Sequence, residues 1–525
     1  MLRQKHLTYP LVWIIFAFVS ACTLPVLSRN TKPTITASPS METGITPSSE
    51  PGNESPPPIF PTATPVKPAE ADGSPRYLLI TELDYPRHMA FVQETITYTN
   101  QSETVFDALP FIIEPNRYQG TFILKSIKID GNSVELPPLD GNQMQLPLPS
   151  SLPPGKRILI SLEYQLNLPK PVPNPSIRPV PFGWTERQTN LVDWYPFIPP
   201  YTEKSGWLAH PPGYFGEHLA YEASDFEVIL TLKGYSSAQT TAQTPAEGET
   251  PAGQLTVAAS APAQDLGNGS YRFELHKARS FAMSISHAVV VKTRQVGEIT
   301  VYGYAFPVHA TAGEAALDTT AQSLELYQRL FGPYPHRSLS VVEADFLDGM
   351  EYDGLYFLSH GFYNLYQGTP AEYLVAIAAH ETAHQWWYGI VGNDQAMDPW
   401  LDEALCTYSE KLYYENVAPQ AQSWWWTYRI DFYQPQGAIN GSIYSYTYAP
   451  NAYETYRNAV YLNGAKFFDD LRKTMGDADF FALLKRYVES YREQIASSAD
   501  FLTLAENSTS VNIQPVLQSY FQLNP

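Results

Sequence analysis

The chain has 525 residues, 44% of them hydrophobic and 14% aromatic. That is enough for two or three domains with cores of their own, and it excludes a disordered scaffold. A formal charge of −20 at pH 7 excludes nucleic acid as a natural partner, since a phosphate backbone calls for a basic surface.

At the start of the chain, Arg3 and Lys5 precede an apolar run over 11–19 and then Ser20-Ala21-Cys22. The run is too short for a membrane span and predicts a secretory signal over 1–21. Small residues directly before a cysteine resemble the bacterial lipobox. That predicts lipidation of Cys22 and a lipid anchor holding the exported protein to the outer face of a bacterial envelope membrane. A plain secretory signal cut nearby is the alternative. Losing Arg3 and Lys5 with the signal takes the charge from −20 to −22. The only other cysteine is Cys406, so a lipidated chain has no internal disulfide and relies on packed cores.

From 22 to 75 the chain is rich in Pro, Ser and Thr and reads as an extended tether. Over 76–287 the pattern has period two: Ile158, Ile160, Leu162, Tyr164, Leu166 and Leu168 alternate with mostly polar neighbours, as do Phe226, Val228, Leu230 and Leu232. With turn signals such as Asp130-Gly131 this predicts an antiparallel β-sandwich domain, interrupted by a flexible Ala/Thr/Gln/Pro-rich insertion over 236–253. After a further strand pattern near 299–306, the part 288–525 turns mainly helical. A helix over 312–331 is stopped by Gly332-Pro333. The fold class is therefore α+β and multidomain.

The motif that carries chemistry is His380-Glu381-Thr382-Ala383-His384. Two histidines four apart on a helix project from one face and reach one metal ion. Thr369-Pro370-Ala371-Glu372 reads as a capping box that starts this helix. A chain of this size contains such a motif by chance about once in a hundred. Asp398-Pro399 then starts a second helix, which delivers Glu403 nineteen residues after His384. Two His and one Glu form the ligand set of a catalytic zinc site with an open fourth position, and Glu381 is placed to act as base on the metal's water.

These residues resemble the aminopeptidase N family of gluzincin metallopeptidases. The matching strings are Phe331-Gly-Pro-Tyr-Pro335, Gly349-Met-Glu-Tyr352, His380-Glu-Thr-Ala-His-Gln-Trp386, Trp400-Leu-Asp-Glu403 and Tyr461-Leu-Asn-Gly-Ala465, in the family's order. The resemblance implies a saddle-like N-terminal domain, a thermolysin-like catalytic domain, one Zn2+ and peptide substrates. It gives Glu351, with Gly349 and Met350, the role of binding the substrate's free α-amino group, and Tyr461 that of stabilising the oxyanion, with Tyr453 or Tyr456 as substitutes. The family's final Asn is Tyr352 here, and Asn463 stands where Lys is common. An N-terminal-domain glutamine that touches the amine is matched by Gln188 at best, and too little chain follows Glu403 for the family's large helical C-terminal domain.

Nearby, Cys406 reads as core packing, and Glu410 as either a support for a ligand histidine or a surface carboxylate. The aromatic stretch around Trp424-Trp-Trp426, Tyr444, Tyr446 and Tyr448 reads as packing between helices or as cleft lining. Three functions stay open: an aminopeptidase, a zinc endopeptidase with the same machinery, and a lipid-anchored peptide-binding protein that keeps zinc for structure. Oligomeric state and first-subsite preference are open as well.

Overall fold

The structure, a computed structural model, describes residues 73–171, 180–236, 238–242, 248–249 and 253–522, all in a compact unit spanning 68–525. The signal over 1–21, Cys22, nearly all of the tether and parts of the 236–253 insertion lie outside the described residues.

Period-two alternation becomes a two-faced sheet. In the strand Arg157–Asn167 the side chains of Ile158, Ile160, Leu162, Tyr164 and Leu166 are buried and those between them are not. Each large apolar side chain so buried is worth about 1.5–3 kcal/mol. The strand belongs to an eight-stranded sheet in the order Ala263–Gly267, Ser270–Ala278, Ser224–Leu232, Arg76–Asp84, Met89–Thr99, Arg157–Asn167, Phe122–Ile129, Asn132–Ser133. Asp130 and Gly131 join the last two strands with both residues at positive φ (48° and 81°), as a two-residue hairpin loop requires.

The expectation of a purely antiparallel region needs correction, because Thr240–Ala242 runs parallel to Leu255–Ala259 and Arg76–Asp84 runs parallel to Ser224–Leu232. No short hairpin joins them, and the long connection leaves their relative direction free. That connection builds a three-stranded sheet around Phe106–Ile112 and supplies two strands, Gly183–Trp184 and Gln188–Leu191, to a five-stranded sheet whose other strands, among them Met283–Ser286, follow Ser224–Leu232. Leu79, Ile96 and Ile160 from the large sheet pack with Phe111 and Ile285 from the smaller ones in a single apolar core.

The helical region contains a sheet of which the sequence pattern announces only the strand near 299–306. Its order is Gly248–Glu249, Val290–Val296, Ile299–Ala305, Ser338–Ala344, Leu355–Ser359, Gly349–Tyr352. Ser338–Ala344 is buried at every position, so it has no alternation to read. Gly349–Tyr352 forms the sheet's antiparallel edge. The helix Ala310–Phe331 stops at Gly332 (φ 120°) as expected, and packs with Tyr373–Ala383. That helix in turn meets Trp400–Asn416, around a second core that includes Leu324, Ala376, Leu405 and Phe468. Among the described residues no helix is long and apolar enough to cross a membrane.

Candidate active site

The helix Tyr373–Ala383 is buried along 374–383. Its run of small residues suits a helix enclosed by neighbours, in place of an amphipathic stripe. The predicted capping box takes another form. Glu372 stands at the N-cap but turns its carboxylate back to accept from the backbone N–H groups of Gln367 (2.7 Å) and Thr369 (3.0 Å), so it braces the preceding loop. The helix Trp400–Asn416 begins after Asp398-Pro399 as expected, though the Asp398 carboxylate accepts from Ser498 instead of capping it.

His380 and His384 lie one turn apart with ring centroids 4.9 Å from each other. His380 Nδ1 is 3.0 Å from Glu410 Oε1, and His384 Nδ1 is 3.0 Å from the Trp387 carbonyl oxygen. Both partners are acceptors, so each ring donates through Nδ1 and offers its Nε2 lone pair. Glu403 Oε2 lies 3.2 Å from His380 Nε2 and 3.7 Å from His384 Nε2. Donors about 2.0–2.1 Å from a tetrahedral zinc ion lie about 3.3 Å from each other, so the spacing fits that ion.

Charge supports the same fit. Glu351, Glu381, Asp402 and Glu403 are all buried around this point, with Glu217 beside them. Burial pushes the carboxyls of Glu381 and Glu403 well above the usual range, and the neighbouring carboxylates add to it. A divalent cation relieves that repulsion. Cys406 Sγ comes within 4.8 Å of the histidine donor atoms, but burial raises its thiol strongly and it packs under Trp387 as a neutral side chain.

Behind the histidines stands a second layer. Glu410 is fully buried. Burial works against its ionisation, yet Arg429 and His380 outweigh this and hold its pKa low. Arg429 donates to both its oxygens at 2.9 and 2.7 Å, and Trp425 Nε1 donates to Oε2 at 2.8 Å. Of the two readings left open for Glu410, the structure favours the support for a histidine, since its carboxylate holds His380 and is not at the surface. The Trp-rich stretch is likewise mostly packing: Trp425 is fully buried and Trp424 and Trp426 lean on the same core, whereas Tyr448 is exposed.

Glu381 rests against the edge strand. A Cβ on Gly349 would stand 2.0 Å from Glu381 Oε1, so only glycine leaves room for this carboxylate. Glu381 Oε2 is buried without a hydrogen-bond partner among the described residues and borders the cleft. Glu351, two residues along the strand, lines the same cleft and accepts from Gln395 Nε2 at 3.1 Å; Gln395 also donates to Asp402. Met350 points into the core, so of this strand Gly349 and Glu351 face the cleft. Tyr352, in place of the family's Asn, donates to Asp193 Oδ2 at 3.1 Å, and Asp193 also accepts from Tyr221. A long side chain thus ties the strand to the β-rich region.

Tyr461 lies on a π-helical turn, Asn458–Asn463, and its ring lies nearly parallel to that of His380. Its hydroxyl donates to Glu403 Oε1 at 2.5 Å, leaving Oε2 to the histidines. Tyr453 borders the cleft, whereas Tyr456 is buried against Phe215 and Tyr461. Gln188 is not in the site. Its amide is buried between Ser284 and the backbone of Glu343 and Asp345. What the β-rich region places in the cleft is Glu217, which no local motif marks. The same region supplies Arg279, which is buried and donates to the carbonyls of Tyr388 (2.5 Å) and Gly389 (3.1 Å), fixing the turn that follows His384.

Residues 315–520 match the model of the Peptidase family M1 domain. Among curated relatives, the chain is 22% identical over 242 residues to "Probable aminopeptidase 2" of Sulfurisphaera tokodaii, covering 43% of this chain and 30% of that protein. It is 23% identical over 285 residues to "Aminopeptidase N" of Lactobacillus delbrueckii subsp. lactis, covering 50% of this chain and 34% of that one. The matched part thus spans about a third of these relatives' length. Among solved structures, the M1 zinc metallopeptidase from Deinococcus radiodurans superposes with a TM-score of 0.60 at 19% identity, covering 86% of this chain and 96% of the other. A mutant of it bound to a Tyr-Ser-Ala substrate gives 0.58 at 18%, with 86% and 95% covered. At that identity the likeness establishes the two-domain fold.

Proposed function

We propose that the chain, whose residues 315–520 match the Peptidase family M1 domain, is a zinc-dependent aminopeptidase of the aminopeptidase N type that removes N-terminal residues from peptides. The observation that carries this reading is the triangle of His380 Nε2, His384 Nε2 and Glu403 Oε2, with Glu381 and Glu351 in the same cleft. His380, His384 and Glu403 would hold one zinc ion per chain, which when bound would supply a Lewis acid for the scissile carbonyl and acidify a water. Glu381, kept basic enough by its buried and acidic surroundings, takes the proton from the attacking water and passes it to the leaving amine. Glu351 and Glu217 hold the substrate's ammonium and thereby measure the cut from the N-terminus. Tyr461, whose hydroxyl lies at Glu403, donates to the negative oxygen that develops on the carbonyl, a contribution of about 2.7–4 kcal/mol.

A panel of free and N-acetylated peptides, each run with and without 1,10-phenanthroline, tests this. Free peptides are expected to be cut, acetylated ones spared, and the chelator to stop cleavage until zinc is restored. Equal cleavage of acetylated peptides would instead mark an endopeptidase.

The basic start, short apolar run and Ser20-Ala21-Cys22 support export and lipid anchoring through Cys22. In a bacterial host, labelled palmitate is expected to enter the wild type and not Cys22→Ala; equal labelling of both rejects the anchor.

A further inference from the structure

The cleft is lined by groups of both charges. Around the metal ligands and the strand Gly349–Tyr352 it is lined by carboxylates, while two guanidiniums, Arg429 and Arg457, border it elsewhere. Arg429 is committed, its Nε and one Nη both donating to the Glu410 carboxylate. Arg457 is not. It ends the helix Ala452–Arg457, one turn before Tyr461, and its guanidinium carbon lies 4.2 Å over the Tyr433 ring. Nε and one Nη donate to a neutral acceptor, Asn458 Oδ1, at 3.3 and 3.0 Å. Asn458 in turn donates to the Tyr433 carbonyl at 3.2 Å, and the Tyr433 and Tyr373 hydroxyls meet at 2.8 Å. Among the described residues no carboxylate forms an ion pair with Arg457, in a chain with twenty more acidic than basic side chains.

We propose that Arg457 is the binding site for the free C-terminal carboxylate of a short peptide substrate, on the leaving-group side of the scissile bond. The inference rests on the aminopeptidase reading and adds a substrate class to it, namely short peptides with both ends free. Length agrees. Tyr373, whose hydroxyl meets that of Tyr433, stands seven residues before His380 on one helix, roughly 10 Å away along its axis. An extended peptide advances roughly 3.3–3.6 Å per residue, so two or three residues beyond the cut bring a carboxylate into reach of the Arg457 side chain. Chemistry agrees as well. An acidic cleft repels a carboxylate unless a cation receives it, and a guanidinium lying over an aromatic ring and held by neutral groups is preorganised for a planar two-oxygen partner.

The test uses tri-alanine and its C-terminal amide, which share the free amine and scissile bond and differ at the far end. On the full, zinc-loaded chain carrying Glu381→Gln, calorimetry is expected to show the acid bound about tenfold or more tighter than the amide. Adding Arg457→Met should bring the ratio to about one, and adding Arg457→Lys should restore part of it. In the active enzyme, Arg457→Met is expected to raise KM for the acid far more than it lowers kcat. Equal binding of acid and amide by the Glu381→Gln protein, or a preference that survives Arg457→Met, overturns the proposal. Because each ratio is taken within one protein, a variant's stability does not enter it. A wild type that prefers the acid yet hydrolyses neither peptide upholds the carboxylate site and rejects the aminopeptidase reading, which keeps the two failures apart.

Discussion

Glu381→Gln is expected to lower kcat/KM for a free peptide roughly 10²- to 10⁴-fold, the range general acid–base groups supply, while the protein stays folded and loaded with zinc. Glu381 is not one of the three donors that converge, so metal content does not depend on its charge. Its carboxylate fills the space left open by Gly349, and Gln has the same shape, so the backbone has no cause to move. What the amide lacks is a site for the proton. Burial, with Glu351, Glu403 and Asp348 nearby, raises the Glu381 carboxyl well above its usual range, which makes it a stronger base than a surface glutamate. Zinc per chain by elemental analysis, thermal melting and peptide turnover, measured together, check this. A Gln variant that keeps its turnover would remove Glu381 from the mechanism.

Glu410→Ala is expected to weaken zinc binding about 10–100-fold, although Glu410 touches no substrate. The carboxylate holds His380 by Nδ1 and is itself gripped by Arg429 and Trp425. Without it the His380 ring loses its orientation, and the buried Arg429 charge is left without its partner, a loss of about 3–5 kcal/mol in stability. Zinc affinity by competition with a chromophoric chelator and the urea midpoint should fall together. Glu410→Gln, which retains an acceptor for His380, is expected to recover part of the affinity and less of the stability, since Arg429 still lacks a counter-charge. Unchanged zinc affinity in Glu410→Ala would mean that packing alone orients His380.

The candidate metal ligands were legible because their spacing is local. A four-residue spacing on a helix fixes His380 and His384 on one face whatever surrounds them, and Pro399 starts the helix that carries Glu403. Strand alternation was legible for a similar reason, since one wet face leaves a period-two trace in Arg157–Asn167. Ser338–Ala344 left none because both its faces are covered.

By itself, then, the sequence determined the grouping of His380, His384 and Glu403 with Glu381 beside them, and the two-region plan. Tertiary structure decided everything that depends on residues far apart in the chain. It brought Glu217 into the cleft in place of Gln188, tied Tyr352 to Asp193, set Arg429 behind Glu410 and left Arg457 without a counter-ion among the described residues. The physical reason is one of range: helix and strand periods propagate over a few residues, whereas a buried charge finds its partner wherever packing brings one, at separations that leave no mark on the local pattern.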